Sequence, residues 1–254
     1  MVQIENTCFS LPKAGNRKDE YEDAVGSSIF VNKDTAYYRF AIADGASESS
    51  FSDIWANLLA SGYCNGKFES KHIDKSVSKL SKAWKRKLNA KNLPWYAEEK
   101  LKSGAFSTLA GITFRLTDAS SAGFDAVAIG DSCIFQVRGD KIIAFFPLSS
   151  IDDFHNRPVL ISSNTVNNIH LKMFVKKWTG TAQTGDTFLL MTDALACWTL
   201  TRYEEDASVI KKIQGLAGEH DFINLVQSER KLICRDGGFY LRNDDVTLIR
   251  VNLL

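Results

Sequence analysis

The sequence has almost no net charge. Its 31 lysines and arginines stand against 30 aspartates and glutamates, leaving +1 over 254 residues. A balanced chain creates no global field, so neither nucleic acid nor an anionic membrane is expected as a partner. It also lacks any apolar run of about 18 residues, the length a membrane-crossing helix needs. The opening stretch, MVQIENTCFSLPKAG, has no basic region leading into an apolar core, so no signal peptide is expected. The cysteines Cys8, Cys64, Cys133, Cys197 and Cys234 are odd in number and far apart, with no Cys-x-x-Cys. That argues against a disulfide framework and a cysteine zinc site, and for mostly buried free thiols in a reducing cytoplasm. The histidines His72, His155, His170 and His220 are scattered too, and read as surface or packing residues. There is no internal repeat, no low-complexity tract and no Pro/Gly-rich linker. With 44% hydrophobic and 24% charged residues the balance is that of an ordinary globular chain. One α+β domain over residues 1–254 is expected.

What the sequence does have is a set of short apolar runs with clear periods. VQIENTCFSL reads as a strand. AVGSSIFVN (Ala24 to Asn32) and TAYYRFAIAD (Thr35 to Asp44) are rich in β-branched and aromatic residues, and Asn32-Lys33-Asp34 joins them as a hairpin turn. Asp53 is expected to cap a helix reaching about Cys64, with Ile54, Leu58 and Leu59 on one face. A second helix is expected from Ile73 to Leu88, where Val77, Leu80, Trp84 and Leu88 keep helical spacing and the lysine-rich opposite face is solvated. From Ser107 the period changes. STLAGITFRL, AGFDAVAIGDSCIFQVRG and KIIAFFPL read as strands, with Gly139-Asp140 closing a hairpin. Residues 150–180 read as an irregular loop region. GDTFLLMTDALACW is an apolar strand ending at Asp193 and entering a helix. Helices about Glu204 to Leu216 and His220 to Cys234 follow, and DDVTLIRVNLL is a last strand.

Acids punctuate these runs. Glu22-Asp23 precedes one strand, Asp44-Gly45 ends another, Gly130-Asp131-Ser132 lies between two, Thr192-Asp193-Ala194 ends a fourth, and Asp244-Asp245 begins the last. A carboxylate against a buried run is costly unless positive charge meets it. No matching set of lysines or arginines lies beside these positions, so hard divalent cations, Mg²⁺ or Mn²⁺, are the natural partners. Gly45, lacking a side chain, lets its backbone approach an ion and offer a carbonyl, while Ala46 and Ser47 keep the place open. Local hydrogen bonding explains any one such Asp taken singly, and Asp125, Asp140 and Asp186 are assigned to turns or caps. The set gains force from its order.

In order, the series resembles the metal-dependent serine/threonine phosphatases of the PP2C (PPM) family. YEDAVG (Tyr21 to Gly26) resembles the family's early acidic motif, and FAIADGAS (Phe40 to Ser47) its strand ending in Asp-Gly. FSTLAGITF (Phe106 to Phe114) resembles its Gly-Ser-Thr-Ala strand, and VAIGDSCIFQVR (Val127 to Arg138) its Gly-Asp-Ser-Arg hairpin. FLLMTDALACW (Phe188 to Trp198) resembles its Ser-Asp-Gly-Leu-Trp segment, and NDDVTLIRV (Asn243 to Val251) its closing Asp-Asn-hydrophobic-Thr strand. The resemblance implies an α-β-β-α sandwich of two packed antiparallel sheets flanked by helices. It implies two core Mn²⁺ or Mg²⁺ ions and a weaker third. Asp44 would bridge two metals, Gly45 would offer its carbonyl, and Asp193 and Asp244 would hold the other ion, which makes these three acids the catalytic set. Glu22 and Asp23 would act directly or through water, and Asp131 would form the third site with Asp193. Lys18, with Arg17 beside it, falls where the family keeps its phosphate-binding Arg. The implied reaction is in-line attack on phosphorus by a metal-activated water, with no phosphoenzyme, which agrees with the lack of a Cys-x5-Arg signature.

Some positions depart from the family pattern. Phe106 replaces Gly, and Cys133 replaces Arg. Ala46 stands where the family often has His, Lys18 where it has Arg, and Ala194 where it has Gly. The last substitution requires an ordinary φ at residue 194. The stretch after Ser149 covers the place of the family's variable flap. The expected function is a Mg²⁺/Mn²⁺-dependent hydrolase of phosphoserine and phosphothreonine in a phosphoprotein, cytoplasmic and opposed to a serine/threonine kinase. The alternatives are a catalytically weak PP2C-like module that binds a protein partner, and a metal-stabilised structural domain.

Overall fold

Two antiparallel sheets of five strands each lie face to face in the computed structural model, which describes residues 2–33, 35–89, 101–116, 121–154, 157–234 and 237–254. The first sheet runs β1 (Ile4–Leu11), β12 (Val246–Leu253), β11 (Asp186–Met191), β7 (Cys133–Arg138), β8 (Lys141–Phe146). The second runs β10 (Lys176–Gln183), β6 (Ser121–Ile129), β5 (Leu109–Leu116), β3 (Thr35–Ala43), β2 (Ala24–Asn32). A small pair, β4 (Phe106–Ser107) with β9 (Ile161–Ser162), sits apart from both.

Phe40, Ile42, Ile112, Phe114, Phe124, Ile134, Phe188, Leu190 and Ile249 fill the space between the sheets. Phe188 meets Phe114 edge-on at 4.9 Å and Phe124 at 5.2 Å between ring centroids. Ala41 and Ala43, the alternate residues of β3, face outward against helices α1 (Ser52–Cys64) and α2 (Ile73–Asn89), together with Trp55, Leu59, Leu80 and Trp84. Both faces of β3 are therefore buried, which is why its last residues form an unbroken apolar run. On the other outer face, α3 (Asp193–Glu205), α4 (Ser208–Gln214) and α5 (Glu219–Glu229) cover Phe135, Leu189, Met191 and Leu248. The layers are thus helix, sheet, sheet, helix, as expected.

The expected hairpin forms with Asn32 opposite Thr35 and Lys33 in the left-handed region; Asp34 lies outside the described residues. Helix α2 buries Val77, Leu80, Trp84 and Leu88 as its spacing predicts. Elsewhere the structure corrects the reading. Asp53 does not cap α1: the cap position is Phe51, with φ of 62°, and Asp53 lies in the first turn, where its charge suits the helix dipole. The stretch 150–180 is not all irregular. From Lys176 it is an edge strand paired with β6, hidden in the sequence because only Ala182 of its eight residues is buried. The helix expected from Glu204 is two helices: Asp206 is extended and its carboxylate accepts the Ser208 amide at 2.9 Å, ending α3 and starting α4. The following helix stops at Glu229, short of Cys234. Cys8, Cys64, Cys133 and Cys197 are free thiols, and of these only Cys64 and Cys133 are buried. His72, His170 and His220 are exposed, and His155 lies outside the described residues. Among the described residues no helix is long and apolar enough to cross a membrane.

The acids assigned to turns have partners that are distant in sequence. Arg115 pairs with Asp125 across β5 and β6, and Lys211 with Asp140, both at the surface. Asp186 is different, because it is buried. Burial alone would raise its pKa. Hydrogen bonds outweigh that and hold it below the usual carboxylate range: from Arg138 at 2.7 and 3.0 Å, Gln136 at 2.9 Å and the Gln183 amide at 3.1 Å. A lowered carboxylate contributes its full stability above the unfolded value of about 3.9 and loses it as pH falls through the folded value. Asp186→Asn is expected to cost about 1–3 kcal/mol at pH 7, towards the lower end because Arg138 is half-exposed. Urea unfolding should also show that the variant loses less stability than the parent between about pH 5 and pH 2. Equal acid losses would show that the Asp186 pair contributes nothing.

Candidate active site

The strand registers gather the acids. Asp44 follows β3 where Ala43 pairs with Ala24, so Glu22 and Asp23, just before β2, lie beside it. Asp193 follows β11 where Met191 pairs with Cys133 of β7 and Leu248 of β12, which brings Asp131 and Asp244 to the same end. Asp44, Gly45, Asp131, Asp193 and Asp244 line one cavity of about 480 Å³ at this edge of the sandwich, with Ala46, Ser47, Thr108 and Arg157.

The scaffold behind them is made of hydroxyls and backbone. Thr108 Oγ1 accepts the Asp44 amide at 3.0 Å and lies 2.6 Å from Ser132 Oγ, so one side chain ties the Asp44 turn to the Asp131 turn. The Thr108 amide donates to the Asp44 carbonyl at 2.9 Å. Gly130 has φ of +96°, and a Cβ there would lie 2.6 Å from Thr108 Cγ2. Glycine is therefore required on both grounds for Asp131 to sit against Thr108. At Gly45 a Cβ would fall 2.6 Å from the Glu22 carbonyl oxygen.

Two of the expected residues stand behind the cavity. Asp23 is buried, and its Oδ2 accepts from Thr247 Oγ1 at 2.6 Å while Oδ1 has no hydrogen-bond partner. Tyr21 closes on Thr247 from the side. Glu22 turns away, accepting from Ser52 at 2.6 Å and from Ser47, with the Lys13 ammonium 3.7 Å off. Asp245 is a latch: its carboxylate accepts the Lys13 amide at 2.8 Å and the Glu22 amide at 2.7 Å, fixing the N-terminal segment to the start of β12.

The charges are poorly compensated. Burial pushes Asp44 well above the usual carboxylate range, and Asp23, Asp193, Asp131 and Asp244 add to it. Asp23 is raised by burial and by Asp245 and Asp193, against the opposing Thr247 hydrogen bond. Asp131 is pushed up to about 7, by burial first and then by Asp193. Asp244 is raised by burial and Asp193. Arg242 meets Asp193 at 2.6 Å.

The donor set fits a hard divalent cation: every donor is an oxygen, the acids repel one another, Asp23 Oδ1 is orphaned, and Gly45 leaves a backbone cradle. Among the described residues no three of these side chains close into a ready-made cage.

Arg17 and Lys18 are not brought to the cavity. Arg17 is spent on Asp19 at 3.0 Å and Glu20 at 3.9 Å, at the surface. The cations at the site are Arg157 and Arg242, with Lys13, whose Nζ lies 2.9 Å from Ser47 Oγ. Arg242 stands two residues from Asp244 and was open to sequence reasoning. Lys13 and Arg157 carry no local signal, since only tertiary structure brings them here. Ala194 lies inside α3, so its helical backbone tolerates a side chain and the loss of the family glycine is harmless. Cys133 is buried in β7, its thiol 3.2 Å from the Asp131 carbonyl.

Comparison with curated proteins gives no significant match. Among solved structures, the Mycobacterium tuberculosis serine/threonine phosphatase PstP/Ppp superposes with a TM-score of 0.59 at 15% identity, covering 100% of this chain and 99% of that one. The catalytic domain of serine threonine protein phosphatase PstP in complex with two manganese ions gives 0.58 at 15% identity, with 100% of both chains covered. The photosystem II phosphatase PBCP gives 0.58 at 13% identity, covering 100% of this chain and 99% of that one. At such identities these likenesses establish the fold. The sequence profile of protein phosphatase 2C matches residues 16–227, the greater part of the chain. With the sandwich and its edge of acids in place, that match shows that the chain belongs to the protein phosphatase 2C family.

Proposed function

We propose that this protein hydrolyses phosphoserine and phosphothreonine in protein substrates, in a reaction dependent on Mg²⁺ or Mn²⁺. The observation that carries the reading is the convergence of Asp44, Asp131, Asp193 and Asp244 on one cavity with too little positive charge to balance them. Asp44, the Gly45 carbonyl, Asp193 and Asp244 would hold the core cations, and Asp131 with Asp193 a third. Asp23 supports them from behind. When bound, the cations supply charge neutralisation for phosphoryl oxygens and make water more acidic.

The chain's own residues do the rest. Arg157 at the cavity and Arg242 beside Asp193 offer fixed positive charge to the phosphoryl group, in place of Arg17 and Lys18. Thr108 holds the Asp44 backbone so that its carboxylate need not reorganise during the reaction. Ala46 has no titratable group, so it cannot act as general acid for the leaving group. A protein substrate places the enzyme in opposition to a serine/threonine kinase, and reduced thiols suit the cytoplasm.

Hydrolysis of p-nitrophenyl phosphate and of a phosphothreonine peptide should require Mn²⁺ or Mg²⁺ and stop with EDTA. Asp44→Ala should lower the rate by about a hundredfold or more while remaining folded. Metal-dependent turnover surviving in that variant would remove Asp44 from the site. Absence of turnover in the folded, metal-supplied parent would leave a protein-binding module.

A second expectation needs no catalysis. Mn²⁺ should raise the melting temperature by a few degrees, because binding favours the folded state and relieves repulsion. Asp44→Asn should melt higher than the parent in EDTA and gain less from Mn²⁺. A parent indifferent to Mn²⁺ would refute the cation assignment.

A further inference from the structure

A second cavity, about 730 Å³, lies along the segment that follows β1. Its walls include Leu11, Pro12, Phe239 and Leu241, with Arg230 and Lys231 beside them, and none of the described residues lining it is an acid. The Arg230 guanidinium donates to the Pro12 carbonyl at 3.0 Å and to the Asp244 carbonyl, and its Nε is buried without a partner. Carbonyl dipoles orient that guanidinium, and the nearby Asp244 and Asp245 carboxylates offset part of its charge, so the exposed lysine beside it supplies most of the groove's positive charge. Lys231 is exposed. Phe239 is 60% exposed, and so offers an apolar ring to anything that enters.

The two cavities share no lining residue, but neighbouring residues connect them. Residues Pro12 to Asn16 line the groove, while the Lys13 side chain reaches the other way to Ser47. Asn243 lines the groove and bonds Ala14 at 2.7 and 3.2 Å, and the next residue, Asp244, lines the catalytic cavity. Lys13 and the Asn243–Asp244 step thus link the groove to the catalytic cavity.

We infer that the groove docks an acidic segment with apolar flanks, on one side of the phosphorylated residue of the protein substrate. This rests on the phosphatase reading above. Charge complementarity decides the occupant. Carboxylates of the segment meet Arg230 and Lys231, apolar side chains cover Phe239, and basic segments are repelled by the same two charges. The catalytic acids would attract cationic segments without regard to sequence. The groove reverses that preference a short way along the chain.

The test uses labelled, unphosphorylated peptides built of Asp and Leu, or of Lys and Leu, and fluorescence polarisation with the intact protein. The acidic peptide should bind more tightly by about tenfold or more, lose that advantage with added salt, and weaken by about tenfold in Lys231→Glu. Phe239→Ser should weaken it too, without removing the salt dependence. In phosphopeptide hydrolysis an acidic segment should lower KM and leave kcat unchanged, with the placement of the segment scanned on either side of phosphothreonine. Equal binding of both peptides, or an unaltered affinity in Lys231→Glu, would overturn the inference. So would self-association of the protein that Phe239→Ser abolishes, since the groove would then belong to a second copy. Hydrolysis of p-nitrophenyl phosphate by the same preparation separates the two readings. Turnover without peptide discrimination sinks the groove alone, and discrimination without turnover sinks the catalytic reading alone.

Discussion

Carboxylates crowded at one edge of a sandwich repel one another, and much of the structure around them is organised to hold them there. Asp44 is the centre of the crowd: partly buried, and raised in pKa by desolvation first and then by four other acids. Nothing local favours that arrangement, so its cost falls on the fold. Strand β3 meets the cost by being buried on both faces, with Phe40 and Ile42 towards one layer and Ala41 and Ala43 towards the other. A chain gripped from both sides cannot slide to separate the charges. Thr108 adds the cross-tie to the Asp131 turn, and Gly130 allows that turn to come close enough.

A second set of contacts acts on the other half of the site. Asp245 spends its charge on the Lys13 and Glu22 amides, and Arg230 holds both the Pro12 and the Asp244 carbonyls. Neighbouring acids in one dipeptide therefore serve opposite purposes. Asp245 is satisfied by backbone and is structural, whereas Asp244 faces the cavity and is left short of positive charge. The same division separates Glu22, saturated by two serines and near Lys13, from Asp23, which keeps one orphaned oxygen. In each pair one acid is tied to its neighbours, and the other is left with a raised pKa.

The sequence showed the acids of the cavity because each one terminates or begins an apolar run, and strand ends are local features. The hairpin and α2 were legible for the same reason: their periods are complete within a few residues. What stayed hidden depends on partners far along the chain. Asp186 looks like any turn aspartate until β7 and β11 pair and bring Arg138 to it. Strand β10 lies at an edge with a mostly wet surface, so it has no apolar alternation to read. Arg17 and Lys18 occupy the right place in sequence for a phosphate ligand, but a short helical turn spends Arg17 on Asp19 and Glu20. Lys13 and Arg157 could not have been named, since residues 13 and 157 meet the cavity only through the folding of long connections.

These placements separate chemistry from recognition. The acids that would hold cations sit on strand ends and on the first residue of a helix, where register fixes them to a fraction of a residue. The cations around them sit on irregular chain: Lys13 in the segment after β1, Arg157 in the stretch after β8, Arg242 before β12. Irregular connections change sequence and length at little cost to a core they do not enter. Such an enzyme can keep one reaction while altering which phosphorylated surface it accepts. The loss of the family's histidine at Ala46 and of its arginine at Lys18 then reads as movement within the variable layer. The acids, by contrast, sit where strand register fixes them.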